Sequence, residues 1–464
     1  MHRLKTILFV VFACTIQVLW PMGRGPEAAQ LELSLKDAIA KAEQNIHSKF
    51  ATSKLDERIA EEETKEIDST FSDPHIEMIS YSGVVPDAEG GILSEDTNGY
   101  DDSGPFFKVD FKVIQPLYSF GKYDSAQGAG LHNLEMKKAL TRETRNDLQL
   151  EVIKAYFGVV AGQDSSLLSR DLRDNYSKLL KKIEKLLADP KADLDDADLL
   201  EAKALHFEIE KQCADIAAHS EQSLLYLKAL LDLEADAKLS AVATGIPEIA
   251  EAQDFVGPMQ GHLRDRSPLL HGLQSGMDAM TEKIQLERRK RYPDLFLALG
   301  AGYGTAPDRD ELDNAYVRDE YNYERVVGVL GLKWDFNYGV SNAKIEKNLI
   351  EYQKLVKKRQ LALQLQEGTI AKLSGEAVRK RKLFEAAEKS LKSATSWVRL
   401  ESDNMDVGVG NIKRYVKAYQ YYYQLKGEVI STKAQYLVTL AELAHAAGDT
   451  RLLLNWLEYG KVTL

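Results

Sequence analysis

The chain has 464 residues, 44% hydrophobic and 28% charged, a balance that excludes a disordered or collagen-like polymer and leaves material for a large core. Lys and Arg total 60 against 71 Asp and Glu, a formal net charge of -11, so no overall basic footprint points to nucleic acid. Cysteine occurs only as Cys14 and Cys213, which rules out an internal disulfide framework or a cysteine-built zinc site once the N-terminus is removed.

His2, Arg3 and Lys5 stand ahead of an apolar stretch over 7–20, and Pro21, Gly23 and Pro26 then break any helix. The pattern predicts a secretory signal over residues 1–29. The stretch falls short of the ~18 continuous apolar residues of a spanning helix, and no later stretch reaches that length. The mature chain is therefore expected to hold no transmembrane helix. A lipid-anchor site at Cys14 is a rival reading, disfavoured by the bulk of Phe12.

The first half, 30–240, reads as a helix, a strand pair and a long helical hairpin. Its clearest strand alternates Phe107, Val109, Phe111 and Val113 with Lys108, Asp110 and Lys112, giving one apolar and one polar face. Residues 75–85 are its expected partner, across a long acidic loop. From 127 to 187 nearly every residue is a helix former. One apolar seam runs through Leu148, Val152, Ala155 and Val159, and another through Leu150, Ile153, Phe157 and Val160, so neighbours are expected on two sides. Asp189, Pro190 and Asp193 break that pattern, and a returning helix starts near Asp198. Its apolar positions Leu199, Ala202, His206, Ile209, Cys213 and Ile216 alternate three and four apart. At ~1.5 Å per residue the first arm could reach ~100 Å, far beyond a globular domain.

Residues 241–266 are punctuated by Gly and Pro and read as a linker, after which Ser267 and Pro268 give N-cap and first-turn signals for a helix. The second half, 267–464, repeats the order of the first. Leu295, Leu297, Leu299, Ala301 and Tyr303 alternate with smaller residues, a fourth strand lies near 326–334, and a second hairpin runs over about 341–402 and 412–447. Pro74 and Pro293, which open the first and third strand regions, lie 219 residues apart, and Gly121 and Gly339, which end the second and fourth, lie 218 apart. An internal duplication is expected. Four strands cannot close a barrel, and lipid does not tolerate open edges, so the strand pairs and long hairpins together suggest a shared outer-membrane barrel continued by a helical tube.

The chemistry of an enzyme is not written here: no His-Glu-x-x-His, paired Cys-x-x-Cys or Gly-x-Ser-x-Gly occurs, and no cofactor is expected. Gly300, Gly302 and Gly304 are spaced for close packing in a strand rather than for phosphate binding. His206 reads as an interhelix histidine. Arg288, Arg289, Lys290 and Arg291 read as cations at a helix end, and Tyr419, Tyr421, Tyr422 and Tyr423 as packing aromatics.

The chain resembles the TolC-like outer-membrane efflux family from Leu33-Ser34-Leu35-Lys36-Asp37-Ala38-Ile39 to the region of Ala447. The most specific pieces are Gln115-Pro116-Leu117-Tyr118-Ser119-Phe120-Gly121-Lys122, like the family's strand-to-helix turn, and Asp198-Leu199-Leu200-Glu201-Ala202-Lys203-Ala204, like the start of its returning helix. Tyr292-Pro293-Asp294-Leu295 is similar to its third-strand start. Two departures are Asn45-Ile46, where the family has Asn-Pro, and a second turn, 334–339, without proline. The resemblance implies a homotrimer, each chain giving four strands to one 12-stranded β-barrel and its hairpins to a periplasmic α-helical barrel. It also implies a periplasmic adaptor (membrane fusion protein) and an inner-membrane pump as partners, with Phe107, Val109, Phe111 and Val113 facing outer-membrane lipid. The expected function is a passive exit duct of a tripartite efflux or type I secretion system. A periplasmic coiled-coil scaffold or adhesin-like protein is the alternative, and it leaves the strand pairs unexplained.

The family closes its periplasmic entrance at the hairpin ends, which fall here at 189–198 and 403–412. Asp193, Asp195, Asp196, Asp198, Asp403 and Asp406 gather there. Taken singly they read as turn formers and N-caps; repeated three times about an axis they read as an acidic ring that favours cations. Pro190, Leu194, Val407, Gly408 and Gly410 are the candidate adaptor-docking tips, the glycines for backbone conformations that a side chain forbids.

Overall fold

The computed structural model describes residues 31–86, 103–187, 196–234, 236–241, 267–309, 319–407 and 409–459. The expected signal, most of both inter-strand loops, nearly all of the expected linker and part of the first hairpin tip lie outside them. A short strand β1 (Leu31–Leu33) leads into helices α1 (Leu35–Gln44) and α2 (Lys49–Ser72). Ser34 and Ser48 cap these two helices, accepting from the Asp37 and Ala51 N–H groups. The helix breaks at Asn45 without proline: the Asn45 side chain accepts from His47 N–H and donates to the Leu230 carbonyl.

Strands β2 (His75–Pro86) and β3 (Ser103–Tyr118) follow, then α3 (Lys122–Leu187) and α4 (Asp196–Leu230), the expected hairpin. A strand β4 (Leu239–Ala241) pairs in parallel with β1, a small sheet that the sequence reading did not anticipate. The second half holds α5 (Pro268–Arg289), β5 (Asp294–Thr305), β6 (Tyr323–Lys333), α6 (Tyr338–Asp406) and α7 (Ile412–Ala446). Gly448 at φ +92 then turns the chain into α8 (Arg451–Tyr459), also unanticipated, whose Leu452 and Leu453 are buried. Helix, strand pair and hairpin thus recur in the same order in each half. Helix α6 runs to Asp406, so the second break is shorter than expected.

The four longer strands form one antiparallel sheet in the order β2-β3-β5-β6, with β3 and β5 joining the halves. Where the strands end, the helices are locked to them. Phe120 and Gly121 turn the chain at φ 51 and 79, and Arg289 Nη1 donates to the Gly121 carbonyl at 2.6 Å. Lys122 Nζ lies 2.8 Å from Asp294 Oδ1, and Trp334 Nε1 donates to the Arg291 carbonyl. The run of cations at the end of α5 therefore does more than complement a dipole.

The main core sits partway along the long helices, where both predicted seams of α3 are buried except the half-buried Leu150. Ile39 of α1, Leu227 of α4, Leu373 of α6 and Tyr436 to Leu443 of α7 fill against them. A smaller cluster nearer the tips joins Tyr176, Ile183, Ala202, Ile209 and Cys213 to Ile412, and His206 stacks on Tyr176 with ring planes 6° apart. Among the described residues no helix is long and apolar enough to cross a membrane.

A polar clamp closes the main core. Arg145 donates to both Glu43 oxygens at 2.8 Å, and Gln149 donates to Oε1 at 2.7 Å, tying α1 to α3. Burial works to raise the Glu43 carboxyl, but these hydrogen bonds and the positive charges of Arg145 and Lys54 outweigh it and leave it below its ordinary 4.5. A lowered acid adds stability above its unfolded value and loses it as pH falls through the folded one. Wild type should therefore lose more thermal stability than Glu43→Gln when taken from about pH 7 to about pH 4, with Tm as the measurement. Parallel losses in both would show that the clamp contributes nothing to acid lability.

Candidate channel-forming surfaces

Directly opposed residues of an antiparallel ladder share a face, so the register sorts the whole sheet. Lys108 opposes Tyr81 and Gly304, and Asp110 opposes Ile79 and Gly302. On β6, Arg325 opposes Gly302 and Tyr323 opposes Gly304, which puts these two on the side of Lys108, Asp110 and Tyr81, together with Val327 and Val329. Phe107, Val109, Phe111 and Val113 lie on the other, beside Leu295, Leu297 and Leu299 of β5 and Val326, Leu330 and Leu332 of β6. That side is largely apolar and open, with Tyr303 and Glu324 on it beside Val109: Phe107 is 46% exposed, Phe111 41% and Val326 87%. β2 contributes Ile76, Met78 and Val84 but also Ser80 and Ser82, so the surface thins toward that edge.

The polar side carries a cluster that pattern reading missed. Asp110 of β3 and Arg325 of β6 are two strands apart, yet Arg325 Nη2 donates to Asp110 Oδ1 at 2.6 Å and Tyr323 donates to the same carboxylate at 3.2 Å. Gly302 makes this contact possible, since a Cβ there would sit 2.6 Å from Asp110 Oδ1 and 2.8 Å from Arg325 Nε. Lys108 Nζ lies 3.9 Å from the centre of the Tyr321 ring. The signal in the sequence was the glycine alternation itself, which marks where other side chains pass over a strand.

At the far end of the helices, Asp193, Asp195, Pro190, Leu194 and Gly408 lie outside the described residues. Asp196 is exposed at the start of α4, and Asp198 falls in that helix's first turn. Asp403 and Asp406 do not cap a helix. Both are exposed in the last turn of α6, where the partial negative charge of the helix end disfavours them and no basic residue offsets it. The N-cap of α7 is Asn411, whose Oδ1 accepts from Lys413 and Arg414 N–H. Val407 and Val409 project from the turn, 72% and 78% exposed. Gly410 has no positive φ; it is required by contact, because a Cβ would lie 2.5 Å from Met405 N and 2.6 Å from Met405 Cα.

Most tyrosines of α7 pack: Tyr423 accepts from Asn175 Nδ2 at 2.9 Å, and Tyr415, Tyr419 and Tyr422 meet in turn with tilted rings, while Tyr421 is 47% exposed. Burial pushes the Tyr176 phenol up to about 12, with the charge of Glu201 adding to it.

Comparison with known proteins agrees with this architecture. Residues 261–449 match the family model of the outer membrane efflux proteins, the family that the sequence resembles. It is 23% identical over 254 residues to the cobalt-zinc-cadmium resistance protein CzcC of Cupriavidus metallidurans, an alignment covering 53% of this chain and about half, 55%, of that protein. Its fold is that of the Campylobacter jejuni CmeC outer membrane channel, at TM-score 0.71, 14% identity and coverage of 92% and 89%. The open-state MtrE outer membrane channel of Neisseria gonorrhoeae is similar at TM-score 0.68 and 17% identity, over 90% of this chain and 89% of that one.

The second turn gives a direct test of close approach against open space. Gly410→Val should lower stability by ~1–3 kcal/mol through overpacking on Met405. Gly375→Ala, in the interior of α6 with nothing within 4 Å, should raise it by ~0.5–1 kcal/mol. Thermal unfolding of the purified variants checks both, and a Gly410→Val protein as stable as wild type would remove the contact argument.

Proposed function

We propose that this chain is one protomer of a homotrimeric outer-membrane duct that passes substrates from an inner-membrane pump, through a periplasmic adaptor, to the outside. The observation that carries the reading is the sheet. Among the described residues its outer strands β2 and β6 each pair on one side only, and its apolar face is open to solvent. Three such sheets edge to edge close a 12-stranded barrel, satisfy every ladder hydrogen bond and turn the apolar faces to lipid. The polar side then lines the lumen, and the hairpins extend it across the periplasm. The duct does no chemistry; energy comes from the pump. Similarity to a protein named for cobalt-zinc-cadmium resistance favours metal cations as cargo within this reading.

Detergent-extracted wild type should be a trimer by light scattering. Val109→Arg or Phe111→Arg should largely abolish trimer recovery from membranes, since a charge on the lipid face costs ~2–4 kcal/mol near the midplane. Lys112→Ala, on the opposite face, should leave it intact. A monodisperse wild-type monomer, or equal recovery of both sets, would reject the barrel.

The acids at the second tip fit a ring at the periplasmic entrance, because their place at the end of α6 gives nothing to the helix itself. Replacing Asp403 and Asp406 together by Asn should weaken cation preference and block by multivalent cations in single-channel recordings. Unchanged selectivity and block would remove these two carboxylates from the gate.

A further inference from the structure

Glu143 and Asp147 lie one helical turn apart on the same face of α3, and His445 reaches them from the last turn of α7. One ligand atom from each falls within 4.8 Å of the other two, and His445 Nε2 is 2.7 Å from Asp147 Oδ1. The three come from the two halves of the chain, 298 residues apart between Asp147 and His445. Glu143 is half-buried and faces the backbone N–H of Leu269 in the first turn of α5.

Like charges at this spacing repel, and among the described residues neither carboxylate has a Lys or Arg within ion-pair distance. The cations nearby are engaged elsewhere: Arg145 with Glu43 at 2.8 Å and Lys154 with Glu442 at 2.6 Å. A plain His–Asp hydrogen bond leaves two carboxylates sharing one imidazole. Burial raises the Glu143 carboxyl, the His445 charge opposes that and the Asp147 charge adds to it.

We propose that Glu143, Asp147 and His445 form a binding site for a divalent first-row transition cation, with Zn²⁺ as its natural probe. One imidazole with two carboxylates suits such borderline ions and leaves a coordination position for water. Tetrahedral zinc ligands stand about 3.4 Å apart, so the His445–Asp147 contact has to open and the longer separations have to close. Side-chain rotation on two rigid helices can do both. The bound ion clamps α3 of the first half to α7 of the second, beside the core where both halves meet. The proposal is independent of what the duct carries.

The test uses tag-free, full-length protein in detergent, stripped with chelator and titrated with Zn²⁺ by calorimetry, with metal content read by mass spectrometry. Wild type should bind one Zn²⁺ per chain at this site and gain thermal stability on binding. His445→Ala and Glu143→Gln should each weaken binding about tenfold or more and lose the Zn²⁺-dependent rise in Tm; Glu143→Gln keeps an oxygen for the Leu269 N–H. His219→Ala, which removes an exposed histidine of α4, should behave as wild type. Because a variant could misfold, the unmodified protein supplies a second arm: excess Mg²⁺ should fail to displace Zn²⁺, whereas Ni²⁺ should compete. No saturable binding to wild type, equal binding by His445→Ala, or displacement by Mg²⁺ would overturn the site.

Discussion

The antiparallel ladder between β3 and β5 is where the two halves of the chain become one structure. It pairs Phe107 with Thr305 and keeps register to Pro116 opposite Phe296, before a shift between Pro116 and Tyr118. Side chains alternate across a pleated strand, so this one register decides which residues of all four strands share a face. A slip by one position would send Phe107 and Phe111 to the side of Arg325 and carry Asp110 among the leucines of β5. The Asp110–Arg325 bridge over Gly302 guards against that slip, since it closes only in the observed register. Among the described residues the same ladder leaves β2 and β6 each unpaired along one edge.

Helix direction follows from the ends of the strands. Arg289 on the Gly121 carbonyl, Lys122 beside Asp294 and Trp334 on the Arg291 carbonyl tie the take-off of α3 and α6 to the sheet. Long helices have little core near their ends, and their packing is concentrated where α1, α4, α7 and α8 meet α3 and α6. Tyr436 lies in that region, and burial pushes its phenol up to about 12, so it stays neutral at physiological pH. The Glu43–Arg145–Gln149 clamp and the Glu143–Asp147–His445 cluster lie on the helices that build this core. Toward the tips the apolar contacts thin to one small cluster, and exposed acids and valines take over.

Much of this was legible from periodicity. Alternation at 107–113 and 295–303 defines strands with a lipid-like and a polar face, and the two seams of α3 define a helix with neighbours on two sides, because both patterns are local consequences of backbone geometry. Ser267 announces its helix for the same reason: a cap acts within three residues. Length alone shows that the hairpins leave any globular body, and the open-edge problem of four strands follows from their number.

Contacts between residues far apart in the chain were decided only by the tertiary structure. Nothing local tells that Asp110 meets Arg325 across a glycine, that Lys122 meets Asp294, or that His445 reaches Glu143 and Asp147. The parallel β1–β4 pair was hidden because three-residue strands carry no period, and α8 because it is a short helix set off from α7 by a left-handed glycine. Asp403 and Asp406 read equally well as caps or as a cluster in sequence, since Asp serves both. Only the extent of α6 shows that Asn411 does the capping and that these two carboxylates stand against the dipole of their own helix.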